Sequence, residues 1–228
     1  MTTSLTGTLP PFSKRAIAAR YLPSRQHYWY ALAKLATDPL YAAVRPLFAQ
    51  TRAPLLDMGC GIGLLPQCLR ASGCEVEYLG LDIDAGKIDI ARTAAANGEL
   101  KGLRFEVGDL SQAFTEHRGS VALLDVLQYF DATARDELLC NAVRCISPDG
   151  RLIVRAGLDD GNWRAAITRG ADKLGHLARW MQTPPRSQPS RGNLESLLAA
   201  HGIECEFQPL SGNTPFNNWL IIGRPSRR

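Results

Sequence analysis

The residues best able to do chemistry form a glycine-rich loop directly after an apolar run. In the stretch LLDMGCGIGLLP, residues 55–66, glycines occupy positions 59, 61 and 63, and Asp57 precedes them. Glycine lets the backbone turn sharply and lets a ligand come close to it. The order of strand, turn and helix start places the loop at the carboxyl end of a strand, where open α/β sheets bind their ligands.

The glycine spacing and the acid indicate which kind of ligand this loop takes. The dinucleotide fingerprint is G-x-G-x-x-G, whereas this loop has G-x-G-x-G, with Leu64 where the third glycine would stand. The carboxylate of Asp57 would also repel the two charges of a pyrophosphate. We therefore expect a ligand that presents a cation and lacks phosphate, and a NAD-dependent oxidoreductase is the least favoured class.

The segment LLDMGCGIG resembles the first motif of the class I S-adenosylmethionine-dependent methyltransferases. Three later strand ends agree with that family: Asp82 in LGLDID, Asp109 in VGDL and Asp125 in LLDVLQYFD. In the family these positions face the ribose hydroxyls, the adenine amino group, and the cofactor or substrate. The resemblance covers residues 53–160 by motif and 193–223 by topology alone. It implies S-adenosylmethionine as the cofactor and S-adenosylhomocysteine as its product.

The resemblance also implies a cofactor pocket formed by the loop and by the next strand ends. The predicted cofactor-binding residues are Asp57, Met58, Gly59, Cys60, Gly61, Gly63, Asp82, Ile83, Asp109, Leu110 and Asp125. Two of the acids have an ordinary structural alternative, since Asp82 can cap the following helix and Asp109 can close a turn. Their order on successive strand ends favours the cofactor pocket.

The acceptor side of the site is less determined by the sequence. Methyl transfer needs a base only when the nucleophile starts protonated, as a phenol with a pKa of about 10 does. The predicted catalytic base is His27 in the aromatic stretch RQHYWYALAKL, because the other three histidines are placed at surfaces or helix ends. The predicted substrate-binding residues are Tyr30, Gln128, Tyr129 and Asn217. The alternative for the aromatic stretch is packing of an N-terminal helix on the core.

The segment after the predicted fourth strand bears on the acceptor class. It lacks the Asn/Asp-Pro-Pro-aromatic motif common in enzymes that methylate exocyclic amines, and the Pro-Cys of cytosine C5 enzymes, so nucleic-acid methylation is disfavoured. HYWYALAKLATDPLYAAV and TPFNNWLIIG resemble methyltransferases of aryl-polyene and related bacterial pigment pathways. That resemblance implies O- or C-methylation of an aromatic or polyene-type secondary metabolite, or of its carrier-bound precursor. The alternatives are a non-catalytic, methyltransferase-like binding protein and a nucleic-acid methyltransferase.

Strands that alternate with helices must position these residues. Strand-like apolar runs occur at 53–58, 77–82, 103–109, 120–125, 150–156, 203–210 and 217–223, and helical spacing at 64–72, 85–97, 112–117, 132–146 and 193–201. Such alternation favours a parallel sheet covered by helices. The last two runs are joined too closely for a parallel crossover and must pair antiparallel. The predicted fold is α/β and Rossmann-like: a seven-stranded, mostly parallel sheet with the last strand antiparallel, helices on both faces and an N-terminal helical cap.

The predicted division of the chain is a helical cap or lid over residues 1–52 and the Rossmann-like methyltransferase domain over 53–228. The domain carries a helical insertion at about 161–191. Local signals set some boundaries: one cap helix is expected to start at Asp38, with Pro39 in its first turn. Asp84 and Gly98 are the expected N-cap and stop of the helix between them.

Composition and charge indicate the surroundings of the protein. The 228 residues are 45% hydrophobic and 21% charged, without a long apolar segment, which predicts a cytoplasmic globular protein. Residues 1–53 and 161–228 are net basic and the middle is net acidic, which indicates either a solvated surface or anionic partners. The basic helix 161–182 could meet an acidic acyl carrier protein or a membrane surface, with peripheral association, or simply face the core. Six cysteines form no C-x-x-C pair, and we predict no metal site.

Overall fold

The computed structural model describes residues 12–49, 51–112, 116–159, 188–210 and 217–226. Its seven strands are β1 Leu55–Met58, β2 Tyr78–Asp82, β3 Leu103–Val107, β4 Ser120–Leu124, β5 Leu152–Gly157, β6 Ile203–Pro209 and β7 Asn218–Pro225. They form one sheet in the order β3-β2-β1-β4-β5-β7-β6.

The sheet is parallel except at its last strand. β1 to β5 pair in parallel, and β7 pairs antiparallel with both β5 and β6. This confirms the predicted mostly parallel sheet and the antiparallel pairing of the final two runs. The strand order reverses between β1 and β4, so the carboxyl ends of these two strands flank the crevice where such sheets bind ligands.

Seven α-helices and one short 3₁₀ helix join or precede the strands within the described residues. They are α1 Lys14–Ala19, α2 Arg25–Thr37, α3 Leu40–Ala49, α4 Leu64–Arg70, α5 Ala85–Asn97, the 3₁₀ helix Leu127–Tyr129, α6 Ala132–Arg144 and α7 Arg191–Ala200. The helices predicted at 64–72, 85–97, 132–146 and 193–201 agree with α4 to α7 within two residues at each end. The predicted helix 161–182 lies outside the described residues, as do positions 113–115 of the predicted helix 112–117.

Capping side chains set several helix boundaries. The Asp84 carboxylate accepts hydrogen bonds from the first backbone N–H groups of α5, and Gly98 ends that helix, as predicted. The backbone N–H of Asp38 donates to the Lys34 carbonyl, which is the last hydrogen bond of α2. The Asp38 side chain accepts a hydrogen bond from the N–H of Leu40, the first residue of α3, at 2.9 Å. Its backbone is extended, so it caps α3 from outside, and the prediction that α3 starts at Asp38 is wrong by two residues.

Two apolar clusters cover the two faces of the sheet. Leu55 and Leu56 are consecutive in β1 and belong to different clusters, because side chains alternate between the faces of a strand. The first cluster joins α1, α2 and α3 to α4 and α5, and the second contains residues of α6 and α7. The N-terminal helices therefore share a core with the sheet, while the domain limits at 52 and 53 stay a prediction. Among the described residues, no helix has the length and apolarity to cross a membrane.

Candidate functional site

The glycine loop joins β1 to α4 at the carboxyl edge of the sheet. Gly59, Gly61 and Gly63 have φ angles of +86°, +56° and +75°, a left-handed conformation that costs other residues energy. A Cβ on Gly59 would overlap the side chain of Val126, whereas one on Gly61 would meet no heavy atom within 4 Å. Gly59 therefore packs the loop against the segment after β4, and Gly61 leaves backbone open to a ligand.

Hydrogen bonds within the protein already use several N–H groups of this loop. Gly59 and Cys60 both donate to the carbonyl oxygen of Leu81, at 2.7 and 2.9 Å, and Gly61 donates to Oδ2 of Asp82 at 2.9 Å. A phosphate-binding loop instead aims free N–H groups at the anion. The observed geometry thus agrees with the expectation of a ligand without phosphate.

Asp57 lies beneath the loop as a buried carboxylate that is only partly satisfied. Asp57 is 2% exposed, and its Oδ2 accepts a hydrogen bond from the Tyr78 hydroxyl at 2.6 Å. Oδ1 has no hydrogen-bond partner among the described residues. Burial raises the pKa of Asp57 to about 7, although the Tyr78 bond favours the charged form. An ammonium group would donate the hydrogen bond that this buried oxygen lacks.

Asp82 closes β2 beside the loop and is 8% exposed. Its Oδ1 accepts from the backbone N–H of Asp84 at 3.0 Å, and its Oδ2 from Gly61. Each carboxylate oxygen can accept a second hydrogen bond, so the group can hold the loop and still receive two hydroxyls. The two backbone bonds fix the carboxylate in place before any ligand binds.

Apolar side chains lie exposed next to Asp82. Ile83 is 68% exposed, and Val107, the register partner of Asp82 at the end of β3, is 53% exposed. Sequence reasoning predicted Ile83 and missed Val107, whose available signal was a β-branched residue at a strand end just before an acid. Asp109 is exposed, and the Ser111 backbone N–H that donates to it lowers its pKa. Leu110 is buried.

Two other predicted cofactor residues are placed differently. Met58 is fully buried in the second apolar cluster, so only its backbone can face a ligand. Cys60 is half-buried, and burial raises the pKa of its thiol, which keeps it protonated. A Cβ on Gly80 would lie 2.8 Å from the Cys60 sulfur, so that glycine makes room for this side chain.

Asp125 follows β4 and belongs to a cluster of four charged side chains. Its φ angle of +63° is uncommon for a residue other than glycine, although aspartate adopts it more readily than most. Oδ2 of Asp125 contacts Nη1 of Arg155 and lies 3.4 Å from Nζ of Lys34. Asp38 completes the group, with Oδ2 at 2.7 Å from Lys34 and 3.4 Å from Arg155. We call Lys34, Asp38, Asp125 and Arg155 the ionic cluster.

The ionic cluster ties the N-terminal helices to the carboxyl ends of β4 and β5. Burial alone would raise the pKa of Asp125, but the charges of Arg155 and Lys34 outweigh it and lower that pKa. Burial opposes the charge of Lys34 as well, and Asp125 and Asp38 raise its pKa. Sequence reasoning missed Lys34, Asp38 and Arg155 as neighbours of Asp125. The one available signal was an arginine inside an otherwise apolar strand.

The predicted acceptor residues of α2 share one face of that helix. His27, Tyr30 and Lys34 are spaced by three and four residues, which aligns their side chains. Burial raises the pKa of Tyr30, so its phenol is a neutral hydrogen-bond donor. His27 is half-buried, and its imidazole lies on the order of 10 Å along the helix axis from Lys34. Lys34 brings this face to Asp125, at the carboxyl edge.

The remaining predicted acceptor residues differ in how far they are engaged. Gln128 and Tyr129 are half-buried in the 3₁₀ helix after Asp125. Asn217 is 4% exposed, donates from Nδ2 to the Leu158 carbonyl at 2.7 Å and accepts from the Trp219 indole at 3.2 Å. These bonds join the end of β5 to the start of β7, so the structure gives Asn217 a positioning part, and its contact with substrate stays a prediction.

Comparison with protein families adds to this geometry. Residues 55–150, from the first residue of β1 to the turn before β5, match the family described as a methyltransferase domain. Over these residues the chain carries a methyltransferase domain. The match contains the glycine loop and the acids at the ends of β1, β2 and β3, and it confirms the resemblance inferred from LLDMGCGIG. The comparison with curated proteins found no match.

Solved structures share the fold of this methyltransferase domain at low sequence identity. An O-methyltransferase family protein from Burkholderia thailandensis superposes with a TM-score of 0.70 at 22% identity, over 94% of this chain and 63% of that one. Magnesium protoporphyrin IX methyltransferase from Synechocystis PCC 6803, with bound S-adenosylhomocysteine, gives 0.65 at 16% identity, over 92% and 94%. An O-methyltransferase from neocarzinostatin biosynthesis, in complex with S-adenosylmethionine and 2-hydroxy-5-methyl naphthoic acid, gives 0.62 at 18% identity, over 90% and 59%. This chain spans less than two thirds of the first and third proteins.

Proposed function

We propose that the protein transfers a methyl group from S-adenosylmethionine to a small-molecule acceptor. The observation that carries this proposal is the buried Asp57 carboxylate, whose Oδ1 has no partner among the described residues. An α-ammonium group would donate to that oxygen and neutralise its charge. S-adenosylmethionine presents such a cation and has no phosphate, and several loop N–H groups that a phosphate would need are already bonded.

The other residues at the edge fit the rest of that cofactor. Gly61 leaves open backbone for the amino-acid part, and the Asp82 carboxylate has acceptor capacity for both ribose hydroxyls. Ile83 and Val107 offer exposed apolar surface for the two faces of an adenine ring, and Asp109 an acceptor for its amino group. Burying the two apolar side chains against a base would be worth about 1–2 kcal/mol each.

The chain has to align the acceptor and take up a proton where the acceptor carries one. When bound, the cofactor supplies a methyl carbon that its sulfonium already activates. Alignment of the nucleophile with that carbon and exclusion of water are the main tasks of the protein. We assign them to α2, which the ionic cluster holds over the carboxyl edge. His27 would accept the proton of a phenolic acceptor as the oxygen attacks.

We further propose an aromatic acceptor, methylated on oxygen or carbon. Tyr30 lies on the face of α2 that carries His27 and Lys34, and Trp29, one position earlier, is 62% exposed. The neocarzinostatin O-methyltransferase, which shares the fold, was crystallised with a naphthoic acid. A polyene-type metabolite or a carrier-bound precursor is the narrower form of this proposal. Helix 161–182, the predicted contact for a carrier protein or membrane, lies outside the described residues.

Titration calorimetry tests the cofactor assignment. We expect S-adenosylhomocysteine to bind and NAD not to bind; binding of NAD alone would refute the proposal. Asp82→Ala should weaken the binding of S-adenosylhomocysteine by about 100-fold, because two charge-assisted hydrogen bonds are lost. Asp89→Ala is the matched control, since this exposed acid on α5 pairs only with Arg92 in the described structure. Equal affinities of the two variants would remove Asp82 from the site.

Turnover with a panel of acceptors tests the second half of the proposal. Phenols, carboxylic acids and carrier-bound acyl chains are incubated with S-adenosylmethionine, and products that gain one methyl group are detected by mass. For a phenol, His27→Gln should lower kcat by about 100-fold or more, whereas a carboxylate acceptor needs no base and should keep its kcat. An equal loss on both acceptors would show that His27 shapes the pocket and does not act as the base. Cofactor binding without any turnover would favour the non-catalytic alternative.

A further inference from the structure

A cysteine and a histidine meet on the surface of the molecule, away from the proposed methyl-transfer site. Cys140 lies in α6 and His201 directly follows α7, and their Sγ and Nε2 atoms are 3.5 Å apart. α6 runs from the carboxyl edge of the sheet to the amino end of β5, and His201 stands two residues before the amino end of β6. The pair therefore sits toward the opposite edge from the glycine loop.

The backbone of α7 fixes which nitrogen of His201 faces the thiol as a base. Nδ1 lies 2.9 Å from the carbonyl oxygen of Leu197, and a carbonyl can only accept, so Nδ1 carries the hydrogen. In the neutral ring Nε2 is then unprotonated and directed at Cys140. Nε2 of His201 can thus accept the thiol proton.

The other cysteines lack this combination of access and a base. Burial raises the pKa of Cys68 to about 12 and that of Cys205 to about 11, and it raises the pKa of Cys60 and Cys145 as well. Such thiols are poor nucleophiles, because the thiolate is the reacting form. Cys140 is partly exposed on α6. Near it on the same side of that helix lie Thr133, Asp136, Glu137, Asn141 and Arg144.

We propose that Cys140 and His201 form a thiol–disulfide exchange site for a small disulfide. Nε2 of His201 takes the proton, and the Cys140 sulfur attacks one sulfur of the disulfide. A new S–S bond joins Cys140 to that half, and the other half leaves as a thiolate that takes the proton back from His201. The cysteine is oxidised by the disulfide, which is reduced to one thiol. Asp136, Glu137 and Arg144 lie near Cys140 on the same helix and carry charges of both signs, which suits a small disulfide with ammonium and carboxylate groups.

Reaction of the full chain with glutathione disulfide at pH 7 tests the site. Intact mass and peptide mapping should show one glutathione adduct, on Cys140, and Cys140→Ser should abolish it. Cys205→Ser is the matched control and should react at the parent rate. Adducts spread over several thiols, or no adduct when a free cysteine peptide reacts, would overturn the proposal.

A second variant separates base catalysis from simple exposure. His201→Gln keeps a donor for the Leu197 carbonyl and removes the base, so the adduct should form at least about tenfold more slowly at pH 7. Above about pH 9 an ordinary thiol ionises without help, and the two rates should converge. Thermal unfolding of the variant checks that α7 stays folded. An unchanged rate at pH 7 in a folded variant would show that His201 only caps the helix.

Discussion

The two sides of the carboxyl edge of the sheet are built in different ways. The side proposed to hold the methyl donor, called the donor side, lies at the ends of β1, β2 and β3. Backbone hydrogen bonds between the glycine loop and the neighbouring strand hold it, such as those from Gly59 and Cys60 to the Leu81 carbonyl. The side proposed to hold the methyl acceptor, called the acceptor side, is held by the ionic cluster. In that cluster Lys34 contacts Asp125, which is 91 positions away in the sequence. Backbone bonds persist when side chains change, whereas an ionic cluster depends on each member. The geometry of the glycine loop should therefore depend less on single side chains than the position of α2 does.

Removal of the central cation of the ionic cluster should have the largest effect on stability. Arg155→Met leaves the carboxylates of Asp38 and Asp125 with Lys34 alone, in a region where the Arg155 side chain is 8% exposed. Breaking a buried ion pair from one side costs about 3–5 kcal/mol. Urea unfolding with S-adenosylhomocysteine titration measures both sides of the comparison. A large loss of cofactor affinity in the folded variant would show that the two sides are not independent.

Addition of a methyl group in the glycine loop should have the second-largest effect on stability and should also weaken cofactor binding. Gly59→Ala combines a φ of +86° with overlap on Val126, and we expect a loss of about 2–4 kcal/mol together with loss of cofactor binding. Gly73→Ala is the matched control, because its φ is +75° with no atom within 4 Å of the added carbon. It should cost about 1 kcal/mol and leave binding intact. Similar costs in both variants would mean that conformation alone, without packing on Val126, constrains the loop.

The buried Asp57 predicts opposite effects of pH on stability and on cofactor affinity. Its folded pKa of about 7 lies above the unfolded value of 3.8, so the folded state binds the proton more tightly. Without ligand, the protein should lose about 2–3 kcal/mol of unfolding free energy between pH 5 and pH 8. S-adenosylhomocysteine should bind up to about 100-fold more tightly at pH 8 than at pH 5, because its ammonium requires the carboxylate.

Asp57→Asn provides the comparison for that pH effect. The variant should show neither the loss of stability nor the gain in affinity, whereas Asp89→Asn should behave as the parent protein does. Urea unfolding and calorimetry at the two pH values measure the outcome. If Asp57→Asn retains the full pH dependence of binding, another group receives the ammonium.

Removal of Lys34, the more exposed cation of the ionic cluster, should have the smallest effect on stability. Lys34→Met removes a charge from a side chain that is 26% exposed, and about 1 kcal/mol of stability should be lost. We expect the affinity for S-adenosylhomocysteine to change less than about threefold, because Arg155 still holds Asp125, the member of the cluster that is predicted to bind the cofactor. kcat/KM for whichever acceptor is turned over should fall as α2 loosens. A selective loss of cofactor affinity would contradict the division into two sides.

The fold could be predicted, and a cofactor pocket could be proposed, because their signals are local. The acids at the strand ends lie within a few residues of the strands that position them, as in LLDMGCGIG and LGLDID. Likewise, Asp84 and Gly98 are enough to set the start and the end of α5. The ionic cluster could not be predicted, because no local pattern brings Lys34, Asp125 and Arg155 together. Asn217 shows the same limit, since only tertiary contacts reveal that Leu158 and Trp219 occupy its amide.

By itself, the sequence determined the alternation of strands and helices and the type of methyl donor, because periodicity, glycine spacing and acids at strand ends are properties of short segments. Only the tertiary structure decided that Asp57 keeps one buried oxygen without a described partner and that α2 is held at Asp125 and Arg155. It alone also placed His201 beside Cys140. Burial and ion pairing depend on what the rest of the chain brings near, and no short segment encodes that.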